Sequence, residues 1–245
     1  MPMLDWLNFV DARRRDNLVS ILQELSNLQD KNDLNFIIIG ALPLLISGYL
    51  KYVVYWDVDL LFKDLNRLKE FINESKSTSL KIVNYDEDLM DSENITSFHT
   101  AWAFDKSWFN VDYILRKGLY EFYADNIQEL KPYTQSLKIV NTDFSINIYL
   151  AHPWDIIVEK IFSPRTEKEM NLKIDMSVDI RHIYVVYKQD GTNQSFWHYV
   201  LKKAERFQRL AEFKEKFLNL LKIAKELGYD DIEISPLAEK YLVNA

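Results

Sequence analysis

The sequence predicts an α/β (α+β) fold: a mixed β-sheet flanked by helices, followed by a helical C-terminal subdomain. Three stretches carry the prediction. Residues 36–39, Phe-Ile-Ile-Ile, form an uninterrupted apolar and β-branched run, the pattern of a buried strand. Gly40 ends that run, and residues 41–50 continue as an apolar helix, so a strand passes through a tight glycine turn into a helix. Residues 195–227 place Trp197, Val200, Leu201, Ala204, Phe207, Leu210 and Ala211, then Phe217, Leu218 and Leu221, on one face of a long amphipathic helix.

Taken in order, Leu18, Ile21, Leu22, Leu25 and Leu28 recur at helical spacing and predict a helix over residues 4–28. Its Arg13-Arg14-Arg15 run reads as a solvated face. In the helix at 41–50, Pro43 is tolerated if Gly40 is the N-cap, because the third helical N–H has no intrahelical partner. Residues 55–62, Tyr-Trp-Asp-Val-Asp-Leu-Leu-Phe, read as the next strand, and a helix follows from Asp64 or Leu65 to Glu74. Residues 80–83 and 97–104 are strand candidates. Asp86-Glu87-Asp88 and residues 91–93 between them form an acidic loop. Along residues 109–115, Phe109, Val111, Tyr113 and Leu115 take one strand face; Asn110, Asp112 and Ile114 take the other. Residues 137–140 and 146–150 are later strands. His152-Pro153 is a sound helix start, and Trp154, Ile157, Val158 and Ile161 form the stripe of that helix, with Lys160 on its flank. Asp190-Gly191 marks a turn, and Gly228 stands at the expected C-cap of the long helix. The division expected is 1–150 as the core with its N-terminal helix and 151–245 as the helical subdomain.

Composition narrows the function classes. The chain has 245 residues and a formal net charge of −7, which argues against a broad nucleic-acid-coating surface but not against a local groove. It has no cysteine, which excludes disulfides, thiolate zinc sites and cysteine nucleophiles. No apolar run approaches the roughly 20 residues that span a bilayer, and the N-terminal residues lack a secretion-signal pattern. A cytoplasmic protein without membrane contact is the expectation. The four histidines show no zinc-ligand spacing, and Gly-x-Ser-x-Gly, Walker and dinucleotide glycine patterns are absent.

The pattern that points to chemistry is Asp57-Val58-Asp59. Acids two apart on a strand share a face, and like charges that close repel unless a cation lies between them. Oxygen ligands of this kind suit Mg²⁺, usually held by one or two carboxylates together with substrate phosphates. Gly40, at the turn upstream, would let a phosphate approach free backbone N–H groups at a helix start. Asp112, an acid amid a mostly apolar strand, would converge with the pair if its strand lies beside theirs. Three such acids can hold two divalent ions.

With these residues the chain resembles the nucleotidyltransferase superfamily of DNA polymerase beta-like fold. Within it, the chain looks most like the minimal nucleotidyltransferases related to abortive-infection toxins. That group has a glycine turn at a strand–helix junction, then an Asp-x-Asp strand, then a third acid on a later strand. They correspond here to Gly40-Ala41, to Asp57 and Asp59, and to Asp112, over roughly residues 34–190. The resemblance extends to Lys160 as the helix lysine that meets a nucleotide phosphate and to Asp179, within Ser177-Val178-Asp179-Ile180-Arg181-His182, as the first acid of a second signature. His182 stands where a second acid is usual. Ala41 replaces a glycine or serine, Pro43 removes an N–H, and Val53 and Tyr55 replace an arginine and a threonine.

The resemblance implies an enzyme that moves a nucleoside monophosphate from a nucleoside triphosphate to a hydroxyl of a protein, an RNA or a small molecule. Mg²⁺ or Mn²⁺ would sit at Asp57, Asp59 and Asp112; Gly40, Ala41, Lys160 and Asp179 would serve the nucleotide. A toxin-like role with an antitoxin protein as partner is part of the same expectation. Two alternatives stand beside it: a catalytically degenerate nucleotide- or partner-binding protein of this fold, and an Asp-x-Asp glycosyltransferase.

Overall fold

The computed structural model describes residues 6–29, 36–53, 57–75, 80–87, 95–104, 107–116, 118–124, 133–139, 142–172, 178–227 and 233–243. The chain divides into two compact units, Met1–His152 and Pro153–Ala245. As expected, the fold is mixed α/β with a helical C-terminal part.

In the first unit a short 3₁₀ turn, Trp6–Phe9, precedes α1 (Ala12–Leu28). The predicted helix therefore starts later than residue 4. Asp11 is extended and its side chain accepts a hydrogen bond from the Arg13 N–H, which makes it the N-cap and sets the boundary. Then come β1 (Phe36–Ile39), α2 (Ala41–Ile46), β2 (Val58–Phe62) and α3 (Leu65–Glu74). Helix α2 is shorter than the 41–50 expected, because Gly48 at φ 82° ends it with its N–H on the Leu45 carbonyl. Helix α3 matches its expected bounds, and the Asp64 side chain caps it through the Arg67 N–H at 2.9 Å.

The remaining elements of this unit are β3 (Leu80–Glu87), β4 (Ile95–Phe104), β5 (Ser107–Arg116), α4 (Leu119–Ala124), β6 (Tyr133–Ile139) and β7 (Thr142–Ile148). Strand β3 runs beyond the four residues expected and takes in Asp86 and Glu87, which sequence reasoning placed in a loop; residues 88 and 91–93 lie outside the described residues. Five strands form one sheet in the order β1-β2-β5-β4-β3, and β6-β7 form a separate hairpin. Strand β2 is antiparallel to β1 and parallel to β5, while β5-β4 and β4-β3 are antiparallel. The outer edge of β1 is covered: Ile38 donates to the Tyr149 carbonyl and accepts from the Ala151 N–H, both at 2.9 Å.

One sheet face packs through aromatic rings. Phe36, Phe62 and Tyr113 meet Phe71 of α3 at ring-centroid distances of 5.4, 5.1 and 5.3 Å. All four are buried. Each such side chain contributes about 1.5–3 kcal/mol by leaving water, and edge-to-face pairs add about 0.5–1.5 kcal/mol. This apolar face fixes the strand register, so alternation sends the intervening residues of β2 and β5 to the opposite face.

The second unit contains α5 (Pro153–Phe162), α6 (Pro164–Leu172), α7 (Val178–Asp190), α8 (Gln194–Arg206), α9 (Leu210–Glu226) and α10 (Pro236–Leu242). The single helix expected over 195–227 is two. Gln208 at φ 57° breaks it, and the Arg209 N–H turns back to the Ala204 carbonyl. Gly228 lies outside the described residues. Phe196, Trp197, Phe213 and Phe217 are fully buried between these helices. Among the described residues no helix is long and apolar enough to cross a membrane.

Candidate active site on the sheet face opposite the aromatic core

The acids meet on a row that crosses the sheet. Ile39 pairs with Asp59, Asp59 with Asp112, and Asp112 with His99, so β1, β2, β5 and β4 each contribute one residue to it. Paired residues on neighbouring strands share a face, which brings Asp59 and Asp112 together. Asp57 lies one residue before β2 and is exposed. The register that pairs Val58 with Val111 sets Asp57 beside Asn110, whose side chain hydrogen-bonds the Asp57 carboxyl.

Gly40 closes the row at the end of β1. It adopts φ 75° and ψ −142°, a conformation in effect restricted to glycine. A Cβ built there would fall 2.0 Å from Asp59 Oδ2 and 3.1 Å from its Cγ. The glycine is required twice, once for the backbone turn and once for the approach of Asp59. The next residue, Ala41, opens α2, whose first N–H groups have no helical partner. Helix α2 has six residues, so its dipole is small, and its backbone donors near Asp59 are the relevant feature.

Electrostatics set these acids apart. Loss of water holds the Asp57 carboxyl above the ordinary carboxylate range, and the neighbouring charge of Asp112 adds to the rise; Asn110, Arg14 and His99 oppose it. Asp57 is exposed as a whole, so solvent screens part of this effect. Burial likewise raises Asp112, against hydrogen bonds from the His99 ring and the Thr100 backbone. His99 Nδ1 lies 2.9 Å from Asp112 Oδ2, with side-chain exposures of 42% and 16% respectively. Among the described residues no group of three or more His, Asp or Glu side chains forms a ready-made metal cage.

Sequence reasoning missed His99, Asn110 and Arg14 as neighbours of the acids. Asn110 had a visible signal, since it shares a strand face with Asp112. His99 had none without the β4-β5 register. Arg14 was read as a solvated residue, yet its guanidinium lies 4.3 Å from the Phe109 ring centroid and its Nη2 donates to the Trp108 carbonyl at 3.3 Å.

Lys160 and Asp179 belong to the second unit. Lys160 was expected to project outward toward a phosphate; instead its ammonium forms an ion pair with Asp179 Oδ1, and its side chain is 11% exposed. Thr166 Oγ1 donates to Asp179 Oδ2 at 3.4 Å, and Glu169 Oε2 accepts the Asp179 backbone N–H at 3.2 Å. Burial pushes the Asp179 carboxyl up, but Lys160 and Arg165 outweigh it and the net shift is downward. His182 is buried beside this pair; burial, then the Lys160 charge, lower its pKa to about 3.

Comparison with known proteins gives distant likenesses only. No protein-family model matches the chain, and no curated protein matches it. Among solved structures, JHP933 from Helicobacter pylori is 14% identical with a TM-score of 0.42, over 96% of this chain and 90% of that one. A candidate nucleotidyltransferase from the same organism is 13% identical with a TM-score of 0.44, over 95% and 93%. An antigenic nucleotidyltransferase-like protein from Paracoccidioides brasiliensis is 14% identical with a TM-score of 0.38, over 81% and 92%. At these distances the neighbours carry no argument about activity, and the functional reading rests on the site.

Proposed function

We propose that the protein is a metal-dependent nucleotidyltransferase, which moves a nucleoside monophosphate from a nucleoside triphosphate to a hydroxyl acceptor. The observation that carries this reading is the row itself: a glycine turn pressed against Asp59, and Asp59 paired rung to rung with Asp112. Asp59 and Asp112, on one rung, offer two carboxylates to a divalent cation. Asp57 and Asp112 are both held above the usual carboxylate range, the state that a bound cation relieves. A site short of a complete protein cage suits Mg²⁺ or Mn²⁺ that arrives with phosphate oxygens.

Asp57 and Asp59, with Asp112, would hold the ions. The metal, when bound, would offset charge on the phosphates and lower the barrier to displacement at the α-phosphorus. The chain's own residues supply the rest. Gly40 admits Asp59 against the turn, and the N–H groups of Gly40 and Ala41 would receive the β- and γ-phosphates. Asp112 would accept the proton of the attacking hydroxyl. A bond then forms from the acceptor oxygen to the α-phosphorus, the bond to the bridging oxygen breaks, and pyrophosphate leaves.

Ala41 and Pro43 favour a second reading, a nucleotide-binding protein without turnover, because one offers no hydroxyl and the other no N–H. Release of pyrophosphate decides between them. Wild-type protein with Mg²⁺ or Mn²⁺ and each of the four labelled nucleoside triphosphates should transfer label to itself, to RNA or to a component of cell extract. Asp59→Asn keeps the side-chain size, removes one ligand charge and should abolish transfer without lowering the apo melting temperature. Unfolding of the apo Asp59→Asn protein would make Asp59 a structural residue and overturn the mechanism. Metal-dependent nucleotide binding with no pyrophosphate would leave the second reading in its place. Growth arrest on expression, relieved by a co-expressed partner, would support a toxin-like role.

A further inference from the structure

We propose that His99 is a positioning residue of the acid site: its Nδ1–H holds Asp112 Oδ2 and thereby fixes the oxygen that Asp112 presents to a cation and to the acceptor. The inference rests on the nucleotidyl-transfer reading and assigns a residue that the sequence pattern does not contain. Strand register makes the contact obligatory, since β4 and β5 pair His99 directly opposite Asp112. The 2.9 Å separation is a full hydrogen bond. An ionised carboxylate only accepts, so Nδ1 must carry the proton when Asp112 is charged.

The same strand supplies a second restraint. The Thr100 hydroxyl donates to the Val111 carbonyl, and the Thr100 backbone N–H helps draw the Asp112 carboxyl's pKa down. Asp112 is thus held from the β4 side by the His99 ring, on a strand pair that the Thr100 hydroxyl ties one residue further on. On the β2 side Asp59 stands on the same rung. Outer partners of this kind typically account for roughly 10- to 100-fold in metal affinity or activity. His99 is also the more open of the two side chains, at 42% against 16% exposed, so its replacement leaves the core untouched.

The test uses the full chain and Mn²⁺ alone, followed by the loss of the free-ion electron paramagnetic resonance signal. His99→Leu removes the donor. His99→Asn keeps an N–H donor at the δ position, and His99→Gln moves it one bond further out. We expect His99→Leu and His99→Gln to weaken Mn²⁺ binding by about 10- to 100-fold, His99→Asn to bind nearly as the wild type, and all three to melt close to it. Wild-type affinity in His99→Leu overturns the inference while leaving the nucleotidyl-transfer reading intact. Rescue by His99→Gln but not by His99→Asn overturns it too, because the working atom would then be Nε2. No Mn²⁺ binding by the wild type, with or without a non-hydrolysable triphosphate, overturns the metal reading and this inference with it.

Discussion

Gly40→Ala asks a methyl group to enter space that Asp59 fills. Two costs follow, and they can be separated. The backbone cost comes from φ 75° and ψ −142°, a region that non-glycine residues hold only at about 1–3 kcal/mol. The steric cost comes from the 2.0 Å approach to Asp59 Oδ2 and the 3.1 Å approach to Cγ. Asp59 must leave its rotamer to admit the methyl, at about 0.5–1.5 kcal/mol. Together these give a loss of about 3 kcal/mol, which for a protein of this size lowers the melting temperature by roughly 6–12 °C. Asp59→Ala removes Cγ and Oδ2 and leaves only its Cβ, at 3.5 Å an ordinary contact. In that background Gly40→Ala should cost only the backbone term.

The four proteins form a double-mutant cycle, read by urea unfolding at neutral pH without metal. The expected coupling between positions 40 and 59 is about 0.5–1.5 kcal/mol, the steric term alone. Strict additivity, within about 0.3–0.5 kcal/mol, would refute the reasoning: the Asp59 carboxylate would not lie against the glycine turn. The cycle also matters for ligand binding. Loss of triphosphate affinity in a Gly40 variant alone does not identify a phosphate cradle, because the substitution also displaces Asp59.

Other outcomes follow from the charges. Asp57 and Asp112 bind protons more tightly folded than unfolded, so their ionisation opposes the fold; apo stability should gain from them as pH falls from neutral through their raised pKa values, and Asp112→Asn should remove part of that gain, as seen in urea midpoints across pH 4–7. His182 shows the opposite sign: with its pKa lowered to about 3 against an ordinary 6.5, its contribution is full above 6.5 and lost as pH falls toward 3, so His182→Leu should flatten acid unfolding, and an unchanged profile would show that His182 does not drive it. In the second unit Lys203 Nζ lies 3.3 Å from buried Asp155 Oδ1, which also accepts from Tyr199 OH at 3.0 Å. Lys203→Met leaves a buried carboxylate without its cation and should cost about 3–5 kcal/mol, while Lys203→Met with Asp155→Leu should recover most of it; no recovery would mean that packing, not charge, dominates the site.

The strands and the turn that carry the acids were legible because short-range rules govern them. The apolar run at 36–39 and the alternation at 109–113 predicted two strands and their buried faces, and the register then pairs Asp59 with Asp112. Glycine at position 40 marked the turn, as its positive φ requires. What was not legible depended on longer-range contacts or on single backbone choices. His99 reaches Asp112 only through the β4-β5 register. Lys160 looked like a flank residue on its own helix, and only the packing of α7 against α5 supplies Asp179 as its partner. The break at Gln208 could not be read either, because the apolar stripe runs across it and a positive φ at glutamine has no compositional sign. Helices α4, α6 and α10 were missed: they have six, nine and seven residues, too short for periodicity to stand out.

The two units handle charge in opposite ways, and the contrast bears on function. In the second unit, buried acids are matched with cations: Asp155 with Lys203, and Asp179 with Lys160, whose charge draws the carboxyl below its usual range. In the first, burial holds both Asp57 and Asp112 above that range, and the charge of Asp112 adds to the rise at Asp57. The same row carries a backbone conformation restricted to glycine and a helix of six residues with a proline in its first turn. The crowded acids lower apo stability, and apolar residues at 59 and 112 would suit a strand pair better. Costs of this kind persist together where the arrangement serves a ligand rather than the fold. It follows that a divalent cation should stabilise the first unit selectively. With Mg²⁺ or Mn²⁺ added, hydrogen exchange should slow at β2 and β5 and stay unchanged across α5 to α10. Uniform slowing in both units, or none, would mean that the acid row is not where the cation acts.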